Sequence, residues 1–115
     1  MSTEKKLYEC DITESFIRLE IDVNLKIFLI VEYYFDPAIN KTNLLGVLLY
    51  KMINDVTEMG IEYMTQTVYL EDWELLKKNS NWEIINFIGE HKVEIRCKIE
   101  HVFDCLLDGF NYDNN

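Results

Sequence analysis

Cys97, His101 and Cys105 are spaced four and four, and of all the residues in this chain their types and spacing come closest to a reactive set. On one continuous helix they would stack on a single face and could hold a soft metal ion. Val93 to Ile99, however, alternates apolar with charged side chains as a strand does, which puts Cys97 on a different element from the other two. A closed zinc site would also want a fourth ligand, and a buried cysteine more often behaves as a small hydrophobe. His101 with Cys105 could pair a base with a thiol nucleophile, but that chemistry needs an exposed thiolate and an orienting third group. Asp104 would point about a hundred degrees away from Cys105 on a helix, and leucines follow the cysteine. The spacing therefore defines no metal site, no cofactor site and no catalytic set.

Carboxylates are the next candidates, chiefly Glu71, Asp72 and Glu74 in one cluster and Asp55 with Glu58 in another. Acid-base catalysis asks for two carboxyls in different environments within a cleft. These acids sit where a helix start and a wet helix face would place them anyway. Gly46, Gly60, Gly89 and Gly109 are isolated, so no glycine-rich loop is present to cradle phosphates. Aromatic rings bordered by acids recur in Tyr69 to Glu74 and in Glu32 to Asp36. Rings as anchors and carboxylates for steering are what an interface with a basic protein uses.

These residues must be held by a framework, and the segment from Ser15 to Asp36 is its centre. Ile17, Leu19 and Ile21 alternate with Arg18, Glu20 and Asp22, the period of a strand with one wet face. Asp22 to Asn24 makes a turn, and Leu25 to Phe35 is apolar at odd positions and at several even ones. That second arm is expected near the middle of a sheet, covered on one face and at least partly on the other. It is too short, and too interrupted by Lys26 and Glu32, to span a membrane, which takes about 20 apolar residues.

A short edge strand is expected at 7–10 and a main helix over 43–59, with Thr42 as N-cap and Gly60 as C-terminal cap. A strand at 62–70 and a short helix from Glu71 to Lys78 follow. A hairpin of 82–88 with 93–99 turns at Gly89-Glu90, and a last short helix covers 101–108. The ends, 1–6 and 111–115, are expected to fray. The whole reads as one α+β domain over 1–115, a mainly antiparallel twisted sheet of about five or six strands with one long and two short helices.

With 21 acidic against 11 basic residues the net charge is −10, which disfavours direct binding to a phosphate backbone and favours a basic protein partner. An apolar share of 49% suffices for a single core. Three cysteines leave an odd thiol in any pairing and point to a reducing cytoplasm. The alternation at 93–99 and the exposed aromatics are compatible with a homodimer.

In size, acidity, Ile, Tyr, Asn and Glu content, and lack of catalytic motifs, the chain resembles bacterial toxin-immunity proteins of contact-dependent inhibition and polymorphic-toxin systems. That resemblance implies a protein with no enzyme activity that neutralises a basic, nuclease-like toxin domain by stoichiometric binding. Under it, Glu71, Asp72, Trp73 and Glu74 form the first-choice contact surface, with Asp55 and Glu58 second. The alternative is a phage or mobile-element nucleic-acid mimic that blocks a restriction or CRISPR enzyme, although Lys77, Lys78, Lys92, Arg96 and Lys98 would interrupt its acidic stripe.

Overall fold

The computed structural model describes residues 3–10, 13–41 and 44–106 and divides the chain into two compact units, Met1–Glu62 and Tyr63–Asn115. In the first unit, strands β1 (Thr3–Glu9), β2 (Phe16–Asp22) and β3 (Ile27–Tyr34) precede a 3-10 turn, Pro37–Lys41, and helix α1 (Leu44–Glu58). β2 pairs antiparallel with β1 on one side and β3 on the other. Its alternation makes this middle position workable: Ile17, Leu19 and Ile21 are fully buried, while Arg18 on the opposite face is exposed. Across the ladders Tyr8 lies opposite Ile17, and Phe28 lies opposite Ile21.

α1 buries Leu48, Leu49, Met52 and Val56, a stripe at helical spacing. It stops where Gly60 takes a φ of 82°. The Ile61 N–H then donates to the Val56 carbonyl at 3.1 Å and the Gly60 N–H to the Thr57 carbonyl at 3.0 Å, the two bonds of a Schellman cap.

The second unit holds β4 (Tyr63–Tyr69), α2 (Leu70–Leu76), β5 (Glu83–Ile88), β6 (Lys92–Lys98) and a 3-10 turn, Ile99–His101, that runs into a helical segment at 102–106. β6 pairs antiparallel with both β4 and β5. Its inward residues Val93, Ile95 and Cys97 are buried, as are Val102, Cys105 and Leu106. On the opposite face the Arg96 guanidinium lies 4.2 Å from the Tyr63 ring centroid and pairs with Glu83. Gly89, at a φ of 65°, turns the hairpin.

The class is thus α+β, with six mainly antiparallel strands, one 15-residue helix and shorter helical pieces. Three details differ from expectation. β1 begins at Thr3, because residues through Lys6 are tied to Leu19–Asp22 of β2 instead of fraying. β3 begins at Ile27, because Val23 to Lys26 forms the turn: Asp22 Oδ1 accepts the Leu25 N–H at 3.0 Å, and Lys26 adopts a φ of 58°. Four consecutive residues of β3, Val31 to Tyr34, are exposed, so the strand is not covered on both faces along its length. Residues 1–2, Thr42 and the expected helix end and tail at 107–115 lie outside the described residues.

One long-range polar contact fastens the sheet of the first unit to its helix. The Tyr8 hydroxyl, on a residue only 5% exposed, donates to Asp55 Oδ2 at 2.8 Å. Burial, and then the Asp55 carboxylate that accepts the proton's hydrogen bond, push the Tyr8 pKa well above its ordinary value. Because the folded-state pKa exceeds the unfolded value of about 10, the contribution is complete below that pH and is lost as pH rises through the folded-state value. Replacing Tyr8 with Phe is expected to cost about 1 kcal/mol in urea unfolding near neutral pH and to remove this part of the alkaline loss. An unchanged alkaline profile in Tyr8→Phe would show that the pair does not contribute.

Candidate functional site

The most distinctive feature of the first unit is a break in the pairing of β2 with β3. Arg18 lies opposite Glu32, whereas its neighbour Leu19 lies opposite Ile30. Val31 is therefore one residue too many, a β-bulge with no counterpart on β2. Since side chains alternate along a strand, one inserted residue exchanges the faces of everything beyond it. Before the bulge, Phe28 and Ile30 share the inward side with Ile21 and Leu19; after it, Tyr33 takes that side, opposite Ile17. Glu32 and Tyr34 instead share the outer side with Arg18 and Phe16.

Beyond the bulge the strand opens to solvent. Val31 is 45%, Tyr33 37% and Tyr34 46% exposed. The Tyr33 and Phe35 rings stand 5.1 Å apart on one side. On the other, Arg18 pairs with Glu32 while its guanidinium lies 5.6 Å from the centroid of the Phe16 ring. The segment offers apolar and aromatic contact area, two phenolic hydroxyls and one carboxylate held in an ion pair. That suits a ligand with an apolar or planar portion.

Further along, α1 opens with Leu44, Leu45 and Gly46. A Cβ built on Gly46 would meet no atom within 4 Å, so packing inside the protein does not require glycine there. In a helix glycine costs about 0.5–1 kcal/mol relative to alanine. Gly46 leaves open space beside this helix start, and helix N-termini in general favour anions. The sequence pattern missed this feature because it sought clustered glycines, and the bulge because an inserted residue leaves no mark on composition.

The expected contact residues are placed as follows. Glu71, Asp72, Trp73 and Glu74 follow one another around the single short helix α2, with Glu71 and Glu74 exposed and Trp73 half-buried. Glu74 is engaged by Lys77 of the same helix. Asp55 and Glu58 lie on α1 in the other unit, where Asp55 already accepts the Tyr8 hydroxyl and Glu58 is exposed.

Cys97 and Cys105, which sequence spacing left apart, meet inside the second unit. Both are buried, with side chains close enough to influence one another. The Asn79 side-chain amide donates to Cys105 Sγ at 3.9 Å. Contact with Cys105 and then burial push the Cys97 thiol pKa far upward, the reverse of what a nucleophilic thiolate needs. His101 is partly exposed and lies 3.9 Å from Glu100. Among the described residues no three metal-ligating side chains gather, and no helix is long and apolar enough to cross a membrane.

No family model matches the chain, and no curated protein matches it. Solved structures do. An acetyltransferase from Bacillus cereus superposes with a TM-score of 0.53 at 8% identity, covering 84% of this chain and 74% of its own. A GNAT-family acetyltransferase from Staphylococcus aureus gives 0.52 at 11%, covering 83% and 68%. A Klebsiella pneumoniae chain assigned as an acyl-CoA N-acyltransferase gives 0.52 at 8%, covering 85% and 73%. At these identities the likeness establishes the fold, that of the GNAT acetyltransferases.

This finding corrects the expectation of a toxin-immunity protein. The resemblance rested on size, acidity and residue content, which many folds share, whereas the neighbours in three dimensions are consistently acetyltransferases. The expectation of a chain with no reaction of its own falls with it, and the nucleic-acid mimic finds no support among these neighbours. Acidity misled because net charge reports on solubility and association, not on fold.

The thiol geometry is directly testable. In the folded protein a disulfide reagent at mildly alkaline pH should modify at most Cys10, and all three thiols should react in denaturant. Rapid native modification of Cys97 or Cys105 would contradict their burial.

Proposed function

We propose that this protein is an N-acyltransferase that takes its acyl group from an acyl-CoA thioester. The observation carrying the proposal is the likeness to acetyltransferases over more than four fifths of the chain, with 83–85% covered in the structures above. One of them is assigned as an acyl-CoA N-acyltransferase. Acyl-CoA, when bound, supplies an activated acyl carbon: the amine nitrogen of an acceptor bonds to it, the carbon–sulfur bond breaks, and the thiol leaves.

Two places in the chain fit such a donor. The first turn of α1 around Gly46 suits a phosphate group, because the missing side chain leaves open space beside a helix N-terminus, which favours anions. The exposed stretch Val31 to Tyr34 supplies apolar and aromatic area for the less polar part of the molecule. A chain of net charge −10 has little general attraction for a polyphosphate, so binding must rest on local donors such as these. The Cys97 and Cys105 thiols are buried structural groups, and their reduced state fits the cytosol as the place of reaction.

Acetyl-CoA at a hundred times its dissociation constant is expected to stabilise the fold by about 2.7 kcal/mol in thermal unfolding, with thiol release when amines are supplied. Gly46→Ala separates ligand from scaffold. It should raise the stability of the ligand-free protein by about 0.5–1 kcal/mol through helix propensity, yet reduce the shift caused by acetyl-CoA. Absence of any shift or thiol release with acetyl-CoA and longer acyl-CoAs would refute the proposal.

A further inference from the structure

In the first unit Tyr8 and Ile17 share one face of the sheet, and Tyr8 ties that face to α1. The opposite face is open where β1 ends, β2 begins and β3 ends. There Glu9, Phe16 and Tyr34 lie in one row across the three strands, and Leu7, Arg18 and Glu32 lie in the next. Directly opposed residues share a face, and so do residues two apart along a strand, which puts all of these side chains on the open side. The bulge is what turns Glu32 and Tyr34 outward: without the extra residue at Val31 they would continue the inward series of Phe28 and Ile30. Leu7 is 48% and Tyr34 46% exposed, Glu9 and Glu32 are exposed, and Phe16 is half-buried.

Charge at this end is one-sided. Ser15 Oγ accepts the Asp36 N–H at 2.9 Å, which holds the start of β2 beside the end of β3 and so brings Glu14 and Asp36 to the same end as Glu9 and Glu32. Arg18 is the cation set among these acids, and it shows how a cation is held here: Glu32 pairs with the guanidinium, which also lies 5.6 Å from the centroid of the Phe16 ring. One row further on, a carboxylate and a second ring flank Phe16 again, as Glu9 and Tyr34. Among the described residues no cation pairs with Glu9.

From this repetition we infer that the open end of the sheet docks an arginine-bearing, basic peptide segment of a partner protein, one guanidinium of which lies on the Phe16 and Tyr34 rings and pairs with Glu9. Charge selects the occupant. A chain of net charge −10 draws a polycation toward itself, whereas a second copy of the chain or a nucleic acid would set acids or phosphates against Glu9, Glu14 and Glu32. Arginine fits better than lysine, because a planar guanidinium stacks on a ring while its fork reaches a carboxylate. Leu7, beside Arg18 in the next row, gives an apolar neighbour of that arginine a place to rest. The contact is solvent-exposed, so its strength falls as salt screens the charges.

Fluorescence anisotropy with a labelled octapeptide of alternating arginine and glycine tests this. The peptide should bind at about 50 mM salt and weaken at least about tenfold by about 500 mM. Glu9→Gln and Tyr34→Leu should each weaken binding at low salt at least about fivefold, while Tyr34→Phe, which keeps the ring, should stay within about twofold of wild type. Glu90→Gln removes the same charge from an exposed site in the second unit and should also change affinity by less than about twofold, which separates docking from general attraction to an acidic chain. Near-UV circular dichroism of the variants should match wild type. No binding at low salt, equal binding of the glutamate-glycine octapeptide, a Tyr34→Leu variant that binds as wild type, or equal losses in Glu90→Gln and Glu9→Gln would each overturn the inference. None of these readouts involves acyl-CoA, so failure here leaves the proposed reaction untouched.

Discussion

Strand alternation is a strict constraint: a residue inserted into one strand of a pair must reverse the facing of every side chain beyond it. The chain uses this twice, at Val31 in β3 and at Ile85 in β5. In each case the residues before the bulge obey the pattern of the buried neighbour, and those after it include large apolar side chains that reach solvent. Ile30 remains in register with buried Leu19, while Tyr33, three places further along β3, is partly open although it faces the same side as buried Ile17. Beyond each bulge the strand exposes large apolar side chains, at the expense of one ladder position.

This also explains which parts of the fold were legible in the sequence. Helix α1 was readable almost to the residue, because Leu48, Leu49, Met52 and Val56 repeat at three and four and Gly60 marks the stop with a positive φ. The hairpin of β5 and β6 was readable because Val93, Ile95 and Cys97 alternate cleanly and Gly89 supplies the turn. β3 was misjudged. Apolar residues at both odd and even positions suggest a strand covered on one face and at least partly on the other, but part of the doubled pattern comes from the phase change at Val31. A bulge and a two-sided burial produce the same letters in a row.

The site was less legible than the fold, and for a related reason. Contacts such as Tyr8 with Asp55 and Cys97 with Cys105 join residues on different elements, and local spacing carries no information about them. Acid clusters, by contrast, are conspicuous in sequence whether or not they act. Glu74 is engaged by Lys77 on its own helix and Asp55 by a buried phenol, so these two carboxylates already have partners within their own units.

Gly46 and Gly60 show how much the reason for a residue depends on its surroundings. Gly60 needs to be glycine for its backbone angle, and its role is complete within the protein as a helix cap. Gly46 has ordinary helical geometry and open space where a side chain would be, in the first turn, where glycine only weakens the helix. A Cβ there would meet no atom within 4 Å. The remaining physical use of a missing Cβ is close approach by something outside the chain, and at a helix start the approachable groups are N–H donors. An isolated glycine at that position can serve a phosphate as well as a glycine-rich run can, provided the fold already holds the backbone in place. The absence of a glycine cluster therefore excludes less than it first suggests.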